Sequence, residues 1–209
     1  RSSTTPRSTT PRSKRSKSVL LQASVPSPPL RPRVVLGLDP GTVTTGWGVL
    51  SQSGSRLTHI DNGLIVGRSG DPLEERLAAS YEGLEQQIRE HRPDVVAVES
   101  VFAHKSVQSA LTLGHARGIA LLAASRHGCQ VVSYAPALVK KSVAGHGRAE
   151  KSQIQQMVKM LLGLPEVPAE DAADALALCI CHCHHEPQRL ILDAALEALR
   201  DRASTRRRR

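Results

Sequence analysis

The sequence predicts an α/β fold in which a five-stranded mixed sheet is covered by helices on both faces. Segments of strand and helix character follow one another in the order β-β-β-α-β-α-β, and only helices are predicted after the fifth strand. This order is typical of a sheet with helices packed on it. The first three strands are joined by short turns, whereas the later strands are separated by helices, so the sheet is expected to combine antiparallel and parallel pairs.

The first three strands are predicted from apolar runs separated by turn residues. Residues 33–38 form an apolar strand rich in β-branched residues, and the segment 39–42 (Asp-Pro-Gly-Thr) then turns the chain. A second strand covers residues 45–50 and a third covers residues 57–66. A hairpin-type connection at residues 51–55 joins them, which indicates a meander.

The fourth strand is predicted to lie in the middle of the sheet. Apolar side chains recur at helical spacing from Leu73 to Ile88, which predicts a helix that starts at Asp71-Pro72 and ends near Pro93. Residues 94–98 then form a short run that is wholly apolar after its first residue. Such a run is typical of a parallel strand that is buried on both faces.

The rest of the chain is predicted to alternate between helices and one further strand. A helix closed by His127-Gly128 precedes the fifth strand, and three helices follow it. The predicted ranges are a helix at 106–126, a strand at 130–134, and helices at 136–143, 151–162 and 169–184.

The net charge of +9 is unevenly distributed. Residues 1–33 hold eight Lys or Arg and no acid, and residues 200–209 hold six Arg and one Asp, whereas residues 34–199 hold 14 basic and 18 acidic residues. We expect residues 1–32 to form a disordered, basic Pro/Ser-rich arm, residues 33–187 the folded domain, and residues 188–209 a basic C-terminal helix and tail. Basic ends favour a polyanionic partner; the alternative is that they only keep the chain soluble.

Two further features of the sequence bear on the cellular compartment of the protein. No apolar run approaches the length of a membrane span, so no membrane partner is expected. The four cysteines, Cys129, Cys179, Cys181 and Cys183, are not spaced like a disulfide framework. Both features favour a reducing cytoplasm.

Four acidic residues are the most informative feature of the chain. Asp39 and Glu99 end apolar strands, and Asp171 and Asp174 lie three residues apart on one face of the last helix. If the first and fourth strands are parallel neighbours joined by a right-handed crossover, Asp39 and Glu99 lie side by side. Four close carboxylates repel one another unless cations are present. The pattern therefore predicts a site for two divalent cations and, with it, phosphate chemistry.

Each acid also has a structural interpretation. A strand-end Asp commonly forms a turn, and an acid in the first turn of a helix complements the helix dipole. Asp171, next to Glu170, is open to that interpretation. It is the combination of all four acids that favours the metal site.

Four segments resemble the RuvC family of bacterial Holliday-junction resolvases, which belong to the RNase H-like superfamily. The resemblance runs from about Arg33 to His184, roughly three quarters of the chain. Its segments are Leu36-Gly37-Leu38-Asp39-Pro40-Gly41, Val98-Glu99-Ser100-Val101-Phe102, Ala149-Glu150-Lys151-Ser152-Gln153 and Asp171-Ala172-Ala173-Asp174-Ala175-Leu176-Ala177.

The resemblance implies an RNase H-like nuclease domain at residues 33–187, with Asp39, Glu99, Asp171 and Asp174 as catalytic and metal-binding residues. Two Mg²⁺ ions per active site are implied, with Mn²⁺ as a substitute. The implied activity is a homodimeric endonuclease that nicks two opposed strands of a four-way junction during homologous recombination and DNA repair. The products would have 5′-phosphate and 3′-hydroxyl ends, and the RuvA–RuvB branch-migration complex would be a partner.

Several residues are predicted to hold DNA. Phe102, the one Phe of the chain, is expected to stack on an unpaired base at the crossover, although a core ring is the alternative. Lys140 and Lys151 match basic positions that the family uses near the scissile phosphate. The remaining candidates contact phosphate or are simply solvated, and they are Lys105, Lys141 and Arg148.

Two other features have less specific interpretations. The run Cys181-His182-Cys183-His184-His185 is not expected to bind zinc, because adjacent helical residues point in different directions and no second ligand cluster exists. Cys179 and Cys183 are expected to be small buried apolar residues. Gly114 and Gly118 make one side of a helix small, which favours close packing either at a dimer interface or within the chain.

Three alternative functions remain. The Asp-Pro-Gly-Thr turn also resembles the phosphate loop of actin-like ATPases and sugar kinases, but those proteins duplicate the domain and need a longer chain. A protein that binds junctions without cutting them is a second alternative, against which the complete set of acids argues. A monomeric ribonuclease H is the third, and it differs only in substrate and dimer state.

Overall fold

The computed structural model describes residues 31–100 and 107–186. The predicted α/β fold is confirmed: a five-stranded mixed sheet has helices on both faces. Predictions for residues 1–30, for Phe102 and Lys105, and for residues 187–209 lie outside these ranges. Within the described ranges, no helix is long and apolar enough to span a bilayer.

The sheet has the strand order β3-β2-β1-β4-β5. β1 pairs antiparallel with β2, and β2 pairs antiparallel with β3, which confirms the meander. β1 pairs parallel with β4, and β4 pairs parallel with β5. The strands are β1 (Arg33–Asp39), β2 (Thr44–Ser53), β3 (Arg56–Val66), β4 (Val95–Glu99) and β5 (Gln130–Tyr134).

The β2–β3 hairpin is tighter than the sequence predicted. Pairing continues to Ser53 opposite Arg56, so residues 51–53 belong to β2 and not to a connection. Only Gly54 and Ser55 form the turn, and Gly54 has a φ of 60°, a conformation that glycine adopts without strain. Two residues therefore suffice to reverse the chain.

Five helices occupy the described ranges. They are α1 (Leu73–His91), α2 (Val107–Arg126), α3 (Pro136–Ala144), α4 (Lys151–Leu162) and α5 (170–186). Where a helix end lies inside the described ranges, it agrees with the predicted one to within two residues.

Two apolar cores lie on opposite faces of the sheet because successive strand residues point to opposite sides. Leu36 and Leu38 of β1 pack in one core with the apolar residues of α1 and α2, including Leu84 and Ala120. Val35 of β1 packs in the other core with α3, α4 and α5. The second core contains most of α5, whose residues 175–181 are all fully or almost fully buried.

Candidate active site

Asp39 and Glu99 end neighbouring parallel strands. Leu38 of β1 is paired with Val98 of β4, so the next residue of each strand reaches the same carboxyl-terminal edge of the sheet. This confirms the predicted arrangement of the two strands. Both acids are partly buried at this edge, where ligands commonly bind in sheets with parallel strands.

The turn after Asp39 is held by close backbone packing and a buried hydroxyl. A Cβ on Gly41 would overlap the carbonyl oxygen of Thr44, so the turn has no room for a side chain there. The Thr45 hydroxyl donates to the Gly41 carbonyl oxygen at 3.0 Å and lies 3.3 Å from the Ser80 hydroxyl of α1. The turn that begins at Asp39 is therefore anchored to both β2 and α1.

Three strand glycines allow α5 to lie directly on β1 and β2. A Cβ on Gly37 would overlap the backbone of Ala175, and one on Gly48 would lie 2.6 Å from a methyl carbon of Leu176. A Cβ on Gly46 would overlap the carbonyl of Asp171. Because α5 can approach the sheet backbone this closely, its first turns bring Asp171 and Asp174 to the edge where Asp39 lies.

Burial and mutual repulsion perturb this group of carboxylates. The pKa of Asp39 is raised from 3.8 to about 7, first by burial and then by the negative charges of Asp174, Glu99 and Asp171. Burial also raises the pKa of Asp174, to which the charges of Glu170 and Asp171 add. The other three predicted acids thus lie within electrostatic reach of Asp39.

Two lysines and three of the acids line one cavity of about 200 Å³. Lys140 of α3 donates from Nζ to the Ala149 carbonyl oxygen at 2.8 Å, which ties α3 to the segment before α4. The Nζ of Lys151 lies 3.7 Å from a carboxylate oxygen of Asp174. The cavity is lined by Asp39, Glu99, Pro136, Val139, Lys140, Lys151, Ile154, Asp174 and Leu178.

The donor set fits hard divalent cations, which take oxygen ligands. Lys151 is the one cation that lowers the pKa of Asp39, against three carboxylates that raise it. In the described ranges, no three His, Cys, Asp or Glu side chains are already arranged to hold an ion. Bound cations would offset the repulsion between these carboxylates.

Other predicted DNA contacts lie outside the cavity or outside the described ranges. Lys141 and Arg148 are exposed and do not line it. Their roles, like those of Phe102 and Lys105, stay predictions.

Glu170 was not among the predicted site residues. Its carboxylate accepts a hydrogen bond from the Lys151 ammonium group. The signal in the sequence was its i, i+4 spacing to Asp174, which places both acids on one helix face.

The Cys/His run on α5 belongs partly to the apolar core and partly to a polar cluster that links α5 to the sheet. Cys179 and Cys183 are buried, as predicted, and all four cysteines are free thiols. The buried ring of His182 shares a 2.8 Å hydrogen bond, through Nδ1, with the Tyr134 hydroxyl. His182 Nε2 lies 3.5 Å from Glu186, which pairs with Arg33 of β1. These contacts join the C-terminal turns of α5 to β1 and β5.

The glycine face of α2 is not used for packing within the described part of the chain. Gly114 and Gly118 are exposed, and a Cβ on either would meet no described atom within 4 Å. α2 instead packs on the sheet through Ala120, Ala123 and Ala124. The intramolecular interpretation of these glycines is therefore not supported.

Comparison with known proteins gives one consistent result. The sequence model of the family described as "Crossover junction endodeoxyribonuclease RuvC" matches residues 35–182. The crossover junction endodeoxyribonuclease RuvC of Citrifermentans bemidjiense is 53% identical over 151 residues, which cover 72% of this chain and 92% of that protein. The protein of the same name from Trichlorobacter lovleyi is 46% identical over 172 residues, which cover 82% of this chain and 97% of the relative.

Solved structures agree with the sequence comparison. RuvC of T. thermophilus, determined in complex with a Holliday junction substrate, superposes with a TM-score of 0.70 at 32% identity. The match covers 75% of this chain and 96% of that one. The yeast mitochondrial Holliday junction resolvase Ydc2 has a TM-score of 0.53 at 11% identity, with coverage of 78% and 85%, which is a likeness of fold alone.

Proposed function

The chain belongs to the RuvC family of crossover junction endodeoxyribonucleases, and we propose that it resolves Holliday junctions by metal-dependent, paired nicks in two opposed strands. The reaction serves homologous recombination and DNA repair in the cytoplasm. The observation on which this rests is Asp39, a partly buried carboxylate whose pKa is raised to about 7 and which faces three other acids at one sheet edge. Such a group of mutually repelling acids is suited to divalent cations.

The reaction is hydrolysis of a phosphodiester at the junction. Water attacks the phosphorus atom in line with the 3′ oxygen, a bond from phosphorus to the water oxygen forms, and the bond to the 3′ oxygen breaks. The water oxygen gives up one proton and the departing 3′ oxygen takes one up. The products carry a 5′-phosphate and a 3′-hydroxyl, which can be ligated. In-line displacement needs charge neutralisation on both the attacking and the leaving oxygen.

We assign Asp39, Glu99, Asp171 and Asp174 as the residues that hold Mg²⁺, two ions per active site, with Mn²⁺ as a substitute. When bound, divalent cations lower the pKa of water and stabilise the departing oxygen. Support comes from the oxygen-only donor set and from the repulsion that raises the pKa of Asp39.

The lysines bind and orient the scissile phosphate. Lys140 and Lys151 line the same cavity as three of the acids, so their ammonium groups flank the place where the phosphate must lie. Contacts of this kind position DNA without reading its sequence. Phe102 stacks on an unpaired base near the crossover, and Lys105, Lys141 and Arg148 contact phosphates further away.

We further propose that the active protein is a homodimer that works with the RuvA–RuvB complex. Two opposed cuts require two active sites. An exposed small and apolar stripe on α2 supports a dimer contact: Gly114 and Gly118 lie between Leu111, which is 56% exposed, and Leu122, which is 50% exposed. The basic arm at residues 1–32 and the tail at 188–209 add salt-sensitive affinity for DNA.

The test is cleavage of a synthetic four-way junction with Mg²⁺, alongside a matched duplex and a matched RNA–DNA hybrid. Symmetric paired nicks on the junction alone are expected. Asp39→Asn and Glu99→Gln are expected to lose cleavage but keep junction binding, since they remove only metal ligands. Lys159→Gln, a charge change on the opposite end of α4, is the control that keeps wild-type cleavage.

Each other outcome has a definite meaning. Cleavage of the hybrid would identify a ribonuclease H. Junction binding without cleavage by the wild type would identify a recognition protein. Near wild-type cleavage by either acid variant would refute the assignment of the metal-binding residues.

A further inference from the structure

Lys151 stands between two carboxylates of α5. It begins α4, and its ammonium group reaches across to Glu170 and Asp174, which lie one helical turn apart on the same face of α5. The two contacts are unequal. Glu170 accepts a hydrogen bond from Nζ, whereas the Asp174 oxygen is 3.7 Å away, beyond hydrogen-bond distance.

This inequality matters because Lys151 and a divalent cation compete for the same carboxylate. The Lys151 charge lowers the pKa of both Asp39 and Asp174, so it partly supplies the positive charge that the acids lack. An ammonium group held directly on Asp174 would have to be displaced before a metal ion could bind there. With the hydrogen bond on Glu170, Lys151 stays near the site and leaves the Asp174 oxygens accessible.

We propose that Glu170 is a positioning residue that holds the Lys151 ammonium group off Asp174 and so gives a divalent cation access to that carboxylate. The inference rests on the proposed function, since it requires that Asp174 is a metal ligand. It goes further by giving a role to an acid outside the catalytic set. Glu170 itself does not ligate the ion.

A different explanation is that Glu170 acts only through its negative charge. In that case its loss would weaken cation binding equally whether or not Lys151 is present. If Glu170 acts by positioning Lys151, its loss has no effect once Lys151 is gone. The two explanations therefore differ in a double-mutant cycle.

The experiment is a titration with Mn²⁺ in the absence of DNA, followed by calorimetry and by the electron paramagnetic resonance signal of free Mn²⁺. The proteins are wild type, Glu170→Gln, Lys151→Met and the double variant. Glu170→Gln is expected to raise the Mn²⁺ Kd about two- to fivefold, as for an exposed ion pair of up to about 1 kcal/mol. In the Lys151→Met background, the same substitution is expected to leave the Kd unchanged.

Two controls make the result decisive. Glu166 is exposed, lies before α5 and forms no ion pair with Lys151. Glu166→Gln removes the same charge as Glu170→Gln does, and this variant is expected to bind Mn²⁺ as wild type does. Thermal unfolding of every variant reports whether folding is intact. An equal change of Kd in both backgrounds, or no change in either, would overturn the positioning role.

Failure of this inference can be told apart from failure of the proposed function. If wild type binds Mn²⁺ no better than Asp39→Asn does, the metal site itself is wrong. If wild type binds Mn²⁺ and Asp39→Asn does not, yet the cycle shows no coupling between Glu170 and Lys151, only the role of Glu170 is wrong.

Discussion

Replacing Gly46 with alanine tests how Asp171 and Asp174 of α5 are brought to the sheet. The added Cβ would lie 2.0 Å from the carbonyl oxygen of Asp171 and 2.8 Å from its Cβ, where ordinary contact begins at 3.4 Å. The start of α5 must therefore move away by about 1.4 Å, the difference between 3.4 Å and the shortest of these distances. Asp171 and Asp174 would move with it, away from Asp39.

Two energetic effects of this substitution oppose each other. Alanine is favoured over glycine within a strand by about 0.5–1 kcal/mol, because glycine loses more backbone entropy on folding. Overpacking of a close contact costs about 1–3 kcal/mol. The contact is with helix backbone and not with a flexible side chain, so the steric cost is expected to dominate, with a net loss of about 1–2 kcal/mol.

The effect on catalysis should exceed the effect on stability. Since a misplacement of about 1 Å can cost about 100-fold in rate, a shift of about 1.4 Å is expected to slow junction cleavage by about 100-fold or more. Urea unfolding measures the loss of stability, and single-turnover cleavage of a four-way junction measures the loss of rate under conditions where the variant is fully folded.

Gly67→Ala is the matched control, because a Cβ there would meet its nearest neighbours at 3.6 Å, an ordinary contact distance. It should retain wild-type cleavage. If Gly46→Ala were as stable and as active as Gly67→Ala, close packing of α5 on β2 would not be what positions the acids.

Three further predictions concern stability and assembly. Metal-free Asp39→Asn is expected to be more stable than wild type by up to about 4 kcal/mol near pH 8, because ionising a carboxylate whose pKa rises from 3.8 to about 7 on folding destabilises the folded state. The unfolding free energy of wild type should thus fall as pH rises from about 4 to about 7. The difference in unfolding free energy between the variant and wild type should vanish near pH 4. Urea unfolding at each pH measures both effects. Arg33→Met removes one of the partners of the buried Glu186 and is expected to lower the urea-unfolding free energy by about 2 kcal/mol. Leu122→Glu, on the exposed stripe of α2, is expected to convert dimers to monomers in sedimentation equilibrium.

Each of these predictions has an outcome that contradicts it. A stability advantage of Asp39→Asn that does not depend on pH would exclude the raised pKa as its cause. A loss below about 0.5 kcal/mol for Arg33→Met would mean that solvent screens the pair. A Leu122→Glu protein that remains dimeric, or a wild type that is monomeric, would remove the α2 stripe from the interface.

Much of the site was predictable because its residues are marked by their position relative to strands. Asp39 and Glu99 directly follow apolar runs, and a carboxylate at that point of a parallel pair is recognisable from the sequence. The i, i+3 spacing of Asp171 and Asp174 likewise shows that they share a helix face. The hairpin was predicted less well, since residues 51–53 are polar yet remain paired with β3.

Contacts between distant elements could not be predicted in the same way. Nothing in the sequence indicates that Gly37, Gly46 and Gly48 face the backbone of α5, because this depends on how the helix crosses two strands. The pairing of Lys151 with Glu170 depends on how α4 and α5 begin beside one another. Neither contact produces a periodic pattern in the sequence from which it could be predicted.

The sequence by itself therefore determined the order of strands and helices, the faces that are buried and the identity of the acids, because these follow from local periodicity and from the chemistry of single residues. The tertiary structure alone decided how closely the acids approach one another. It also decided that the ammonium group of Lys151 lies beside them. The raised pKa of Asp39 depends on burial and on charges from three other segments of the chain, and those distances exist only in the folded protein.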